Sequence, residues 1–167
     1  MLTFALAMLT GCGGGDDDSG GGSGNELSQE EFIAQANKIC REGAEKIQSQ
    51  TDEVQQKMQD AGNDAQAQEK VIADVLEETA KDYQPYLDRL HDLNPPSDID
   101  DEWSKFIGGI DEAFDKIPEV ADATRDRDRD KLQDLTSDFE RIANDTRPFA
   151  SKYKLDDCQP DQAAPTS

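Results

Sequence analysis

Residues 28–47 read SQEEFIAQANKICREGAEKI, and their spacing decides the fold. Ser28 followed three residues later by Glu31 is the Ser-x-x-Glu capping box, in which two side chains satisfy free backbone amides at a helix start. Beyond it Ile33, Ala36, Cys40, Gly43 and Ile47 recur at three- and four-residue intervals, and Val54 keeps the same phase. That is the period of one helix face. A helix from residue 28 to about Ala61-Gly62-Asn63 is predicted.

The same period continues outward. Ile72, Val75, Leu76, Thr79, Tyr83, Tyr86, Leu87, Leu90 and Leu93 mark a second face that stops at Asn94-Pro95-Pro96, because proline lacks the backbone donor that would carry the ladder on. Ser97 or Asp98 is placed to cap a third helix, with Trp103, Phe106, Ile107, Ile110, Phe114, Ile117 and Ala121 on its apolar face. Leu132, Leu135, Phe139, Ile142, Ala143, Phe149, Ala150 and Tyr153 give a fourth. Pro85, Pro118 and Pro148 fall inside these segments without shifting the phase of the apolar residues, so proline-kinked helices are expected rather than shorter ones. No alternating strand pattern, hairpin dipeptide or internal repeat interrupts this reading. Four amphipathic helices with short connections define an all-α class, an up-down-up-down four-helix bundle. One end of it collects both chain termini and the Pro95-Pro96 turn. The distal end collects a glutamine-rich stretch over 48–68 and the run Arg125-Asp126-Arg127-Asp128-Arg129-Asp130, and so has little apolar surface to bury.

Composition narrows the function. The 167 residues include 17 basic and 38 acidic side chains, a formal charge of −21. A polyphosphate is repelled by such a chain, which argues against nucleic acid as a partner. Leu, Ile, Val and Phe number 30, under a fifth of the chain and close to the composition at which charged sequences stop folding. The core must be narrow and well patterned.

Residues 1–10, MLTFALAMLT, form a short uncharged apolar run. It is far below the roughly 20 residues a spanning helix needs and fits the apolar part of an export signal. Such signals begin with a positive segment that is absent here, so a true start upstream is expected. Leu9-Thr10-Gly11-Cys12 follows, and residues 13–25, GGGDDDSGGGSGN, hold no apolar group. That tether has a root-mean-square reach of about 20 Å. It is not a phosphate-cradling loop, since no strand precedes it and no Lys-Ser/Thr closes it. Leu9-Thr10-Gly11-Cys12 resembles the lipobox of bacterial lipoproteins, and that resemblance implies a lipid-bearing Cys12; the organisation expected is an incomplete, cleaved export signal over 1–11, the lipidated Cys12 with its tether over 12–25, a helical bundle over 26–158, and a disordered tail over 159–167.

Once Cys12 is lipidated, Cys40 and Cys158 remain, an even pair in an exported chain that favours a disulfide. In an antiparallel bundle residue 154 lies opposite about residue 33, which leaves roughly 10 Å to the level of Cys40. The four residues up to Cys158 can fold back over that span. The competing reading is two unpaired core thiols in a cytoplasmic protein. Zinc is disfavoured, for the chain has no Cys-x-x-Cys and a single histidine.

In the lipobox that Leu9-Thr10-Gly11-Cys12 resembles, the cysteine becomes the acylated first residue of the mature chain. Ala36-Asn37-Lys38-Ile39-Cys40, the Leu90 and Leu93 that precede Pro95-Pro96, and the Leu155 three residues before Cys158 are similar to segments of small helical lipoproteins and secreted proteins of actinobacteria. That resemblance, over residues 28–158, implies a helical fold outside the membrane and a helix-borne cysteine paired with one near the C-terminus. It implies no activity. Gln159 stands where many such chains carry glycine.

Catalytic constellations are not found. His91 lies in the last turn of the second helix, where a cation complements the helix dipole, and it has no nucleophile motif to serve. Asp126-x-Asp128-x-Asp130 begins like a calcium loop, then places Lys131 where glycine is needed and Ser137 where the bidentate glutamate belongs. Catalytic carboxylate pairs need burial, and Asp98, Asp100, Asp101 and Glu102, like Asp156 and Asp157, sit in polar, exposed-looking contexts. Tyr83, Tyr86 and Trp103 are the candidate ligand-facing aromatics, although aromatics at helical spacing more often form core. No catalytic residue, metal ligand or cofactor is expected. The expectation is a non-enzymatic envelope lipoprotein on the outer face of the cell membrane, held by acyl chains on Cys12 and binding an envelope protein or component. A small-ligand or cation-binding lipoprotein is the alternative.

Overall fold

A computed structural model describes residues 27–159. The export signal over 1–11, Cys12 and the tether over 12–25, and the tail beyond Gln159 lie outside the described residues. Six helices follow one another: α1 (Gln29–Gln48), α2 (Thr51–Ala61), α3 (Ala65–His91), α4 (Asp100–Asp115), α5 (Ile117–Asp126) and α6 (Arg129–Lys152), with a 3-10 turn at Asp156–Cys158. Among the described residues there is no strand. The protein is an all-α helical bundle.

Side-chain caps set three of the six helix starts. Ser28 and Glu31 form the capping box: the Glu31 amide donates to Ser28 Oγ at 3.3 Å and the Ser28 amide to Glu31 Oε2 at 3.1 Å. Asp64 accepts from the amides of Gln66 and Ala67 at the start of α3, and Asp128 from Lys131 at the start of α6. Each cap stabilises its helix by about 1 kcal/mol. The third helix begins differently from the expectation. Neither Ser97 nor Asp98 caps it; Ile99 is the N-cap residue and offers no side-chain acceptor. Its side chain is 2% exposed, and the Trp103 amide donates to its carbonyl at 2.8 Å, so burial of an apolar group fixes this start where a polar cap does not.

Four expected helices are six because two of them break. Pro85 and Pro148 lie inside the continuous helices α3 and α6. Pro118 instead occupies the first turn of α5, a position where a missing donor costs nothing; the chain leaves α4 at Lys116. The other break, at Ser49-Gln50, involves no proline. There Ser49 Oγ donates to the Lys46 carbonyl at 2.7 Å, a side-chain bond that competes with the helical ladder, and Gln50 Nε2 donates to the Asp82 carboxylate of α3 at 2.6 Å.

Ion pairs run in opposite order along neighbouring helices, as antiparallel packing requires. Arg89–Glu42, Lys46–Asp82 and Lys57–Glu78 join α1 and α2 to α3. Lys152–Glu102 and Lys116–Asp138 join α4 and its end to α6.

The core gathers at the end carrying both described termini. Phe32, Leu90, Ile99 and Leu155 are among its fully buried side chains. Around Trp103 the rings form a chain: Phe32 meets it edge-on at 4.8 Å between centroids, Phe149 packs against it and against Phe106, and Tyr153 lies 4.6 Å beyond Phe149. The apolar face of α1 holds the expected Ala36, Cys40 and Gly43, with Ile33 packed against the core, and widens to two residues the spacing did not single out. Phe32 and Ile39 enter the core with Ala36, Cys40 and Gly43, while Ile47 is 38% exposed; on α3 it is Ala73, not Ile72, that is buried. Gly43 has a steric reason to be glycine, since a Cβ there would stand 2.4 Å from Cε2 of Tyr83.

Away from that end the packing thins. No residue of α2 is buried, and the buried side chains of α5 are Ala121 and Ala123. Local opening requires little free energy where few apolar contacts are lost. Backbone amides over 51–61 are expected to exchange with deuterium faster than those over 103–107 by about tenfold or more. Equal protection of the two segments would contradict this gradient.

Candidate functional site

The structure joins Cys40 on α1 to Cys158 in the terminal 3-10 turn through a disulfide, with Cα atoms 5.0 Å apart and a sequence separation of 118. Cys40 is placed by the helical period that buries Ala36 and Gly43 on the same face. Cys158 is placed by the chain reversal after α6, where Lys154 adopts a left-handed φ of 54°. Leu155 then drops into the core. The site is further bound by Asn37, whose amide group spans the Lys154 carbonyl and the Asp157 amide, and by Arg41, 3.0 Å from Asp157.

The other candidate residues are dispersed. Trp103 is 4% exposed and wrapped by Phe32, Phe106 and Phe149, which makes it a core residue. Tyr83 fills the space above Gly43 and stacks on Phe114 at 4.8 Å; burial pushes its hydroxyl above the usual tyrosine value. Tyr86 is half-buried beside it, with the Arg89 guanidinium 5.8 Å from its ring centre. The three aromatics therefore belong to packing, not to one cleft. An open depression at the start of α1, lined by Gln29, Glu30, Ile33 and Ala34, has a volume of about 460 Å³ and holds a single carboxylate.

His91 does not sit free at the helix end: its Nε2 lies 3.0 Å from Oδ1 of Asp111 on α4. Asp128 of the aspartate run is a helix cap. Asp157 and Glu102, from the two carboxylate clusters, are paired with Arg41 and Lys152. Among the described residues no group of three or more His, Cys, Asp or Glu is arranged to hold a metal ion, and no helix is long and apolar enough to cross a membrane.

Sequence reading missed the electrostatic tie between α3 and α5. Arg125 reaches Glu77 at 2.8 Å, Asp74 at 3.1 Å and Asp122 at 3.1 Å, and Arg127 reaches Glu69. The spacing of Asp74 and Glu77, one turn apart on a face, was the available signal. Hydrogen bonds from Lys70 and then Arg125 hold the Asp74 carboxyl below its ordinary value, and Arg125 does the same for Glu77. Carboxylates depressed in this way contribute stability above their ordinary pKa, which is lost as pH falls through the folded-state value. Arg125→Met is therefore expected to lower the urea midpoint at neutral pH and to match the parent by about pH 2. Midpoints that stay equally far apart on acidification would contradict the assignment.

What the geometry defines is an acidic all-α bundle whose C-terminal turn is fastened to its first helix. Compared with protein-family models, curated proteins and solved structures, the chain matches none of them.

Proposed function

We propose that this protein is a membrane-anchored extracytoplasmic lipoprotein, similar to the small helical lipoproteins of actinobacteria, whose bundle is a non-enzymatic interaction module of the cell envelope. One observation carries the reading. Of three cysteines, Cys40 and Cys158 are consumed by the disulfide, which leaves Cys12 of Leu9-Thr10-Gly11-Cys12 as the thiol to be acylated. A structural disulfide suits the oxidising side of a membrane. Two or three acyl chains on Cys12, at about 0.8 kcal/mol per buried methylene, hold the chain there for good. The Gly/Ser/Asp tether spaces the bundle from the lipid, and repulsion between its carboxylates and anionic headgroups keeps it raised. With 38 acids for 17 bases, a carboxylate excess faces outward, and a partner surface that complements it is basic.

The test is acyl labelling in the native cells. The parent is expected to take up labelled palmitate and to sediment with membranes, while a Cys12→Ser form takes up none and moves to the soluble fraction. Equal membrane retention of both, without label, would overturn the reading. A thermal-shift screen against metal ions and metabolites addresses the alternative role. An unmoved midpoint supports the interaction module, and a rise of several degrees favours a ligand- or cation-binding lipoprotein.

A further inference from the structure

We propose that Asn37 and Leu155 seat the C-terminal turn on α1 before any sulfur–sulfur bond exists, which makes Asn37 a positioning residue for the oxidation of Cys40 and Cys158. The inference rests on the folded geometry alone and is independent of what happens at Cys12.

Asn37 lies one helical turn before Cys40, on the same side of α1. Its Nδ2 donates to the Lys154 carbonyl at 2.9 Å and its Oδ1 accepts from the Asp157 amide at 3.1 Å. Both ends of one side-chain amide are thus spent on backbone groups that flank Leu155 and adjoin Cys158. Leu155 is fully buried, and its amide donates to the Ala150 carbonyl at 2.8 Å. The amide of Cys158 in turn donates to the Leu155 carbonyl at 3.1 Å, which ties the cysteine backbone to the buried leucine. Arg41 closes the outer side through Asp157. None of these contacts involves sulfur, so opening the sulfur–sulfur bond removes none of them directly. The Ala36 carbonyl, 3.7 Å from Cys158 Sγ, also gives a reduced thiol an acceptor.

Two thiols 118 residues apart are then neighbours through folding, and oxidation joins groups whose approach entropy is already spent. With glutathione disulfide as oxidant, the half-buried Cys158 is the accessible sulfur. Its thiolate attacks the oxidant and one glutathione leaves; the Cys40 thiolate then displaces the second from Cys158. One protein disulfide forms, one glutathione disulfide is reduced, and the two thiol protons end on two glutathiones. The same seating selects Cys158 over Cys12 as the partner of Cys40.

The test measures the glutathione ratio at which half the protein is oxidised, by alkylation and gel shift, in full-length chains carrying Cys12→Ser. Asn37→Ala is expected to need a ratio about tenfold more oxidising, as loss of two hydrogen bonds implies. Asn37→Ala combined with Leu155→Ala is expected to need more still. In denaturing urea all chains should oxidise alike, since the seat exists in the fold alone. A second measurement needs no variant: in the reduced parent the amides of Leu155 and Cys158 are expected to remain protected from deuterium exchange. The proposal is overturned if the double variant keeps its helical circular dichroism and oxidises at the parent's ratio. It is equally overturned if the reduced parent exchanges the Leu155 amide as fast as an unstructured peptide.

Discussion

Replacing Cys40 and Cys158 together by alanine is expected to lower the stability of the bundle by about 3–4 kcal/mol and its melting midpoint by about 10 °C. The closed loop spans 118 residues. In the chain-entropy model a link over that distance removes about 4.7 kcal/mol of freedom from the unfolded chain, and measured effects run somewhat lower. For a domain whose core lies mainly at one end, this is a large part of the total. The effect acts on the unfolded state, so the helical signal of the folded variant should match the parent at low denaturant while the transition shifts. Urea unfolding followed at 222 nm, with and without reductant, checks both statements. Coincident transitions would contradict the role given to the link.

Trp103→Ala is expected to have a comparable effect, about 3–5 kcal/mol, the range for removing a buried large aromatic. Trp103 touches three rings, Phe32 of α1, Phe106 of its own helix and Phe149 of α6. Its removal opens a void where those segments converge, and Phe149 loses its support for Tyr153 as well. Unfolding of the variant by circular dichroism gives the loss directly. An unchanged midpoint would return Trp103 to the set of residues free to face a ligand.

The fold was legible where one residue type acts alone. Ser28 with Glu31 and the halt before Asn94-Pro95-Pro96 each express a local backbone demand: α1 begins just after Ser28, and α3 ends at His91, ahead of the proline turn. The cysteine pair was legible for a different reason: two thiols and a ladder of helices leave few ways to meet. What was not legible depends on rotation and on competition between neighbours. Phe32 and Ile39 share the helical period with Ala36, Cys40 and Gly43 as well as Ile33 and Ile47 do, and Phe32 is the one that meets Trp103 in the core. At the break at Ser49-Gln50 the bond from Gln50 goes to Asp82, a residue on another helix that local spacing does not reveal. Ile99 displaced the polar caps because the core reaches the helix start. Asn37 was visible as a neighbour of Cys40, yet its two backbone partners lie 117 and 120 residues away. The surroundings of the candidate aromatics were not legible either: Trp103 packs among Phe32, Phe106 and Phe149, while Tyr83 packs on Phe114 and beside Tyr86.

Intact mass spectrometry of the protein extracted from the membranes of its own cells bears most directly on the proposed role. The expected species begins at Cys12, carries two or three acyl chains on that residue, and is lighter by two hydrogens at Cys40 and Cys158. A chain recovered from the soluble cytoplasm, with Cys12 unmodified and the other two cysteines present as thiols, would contradict it.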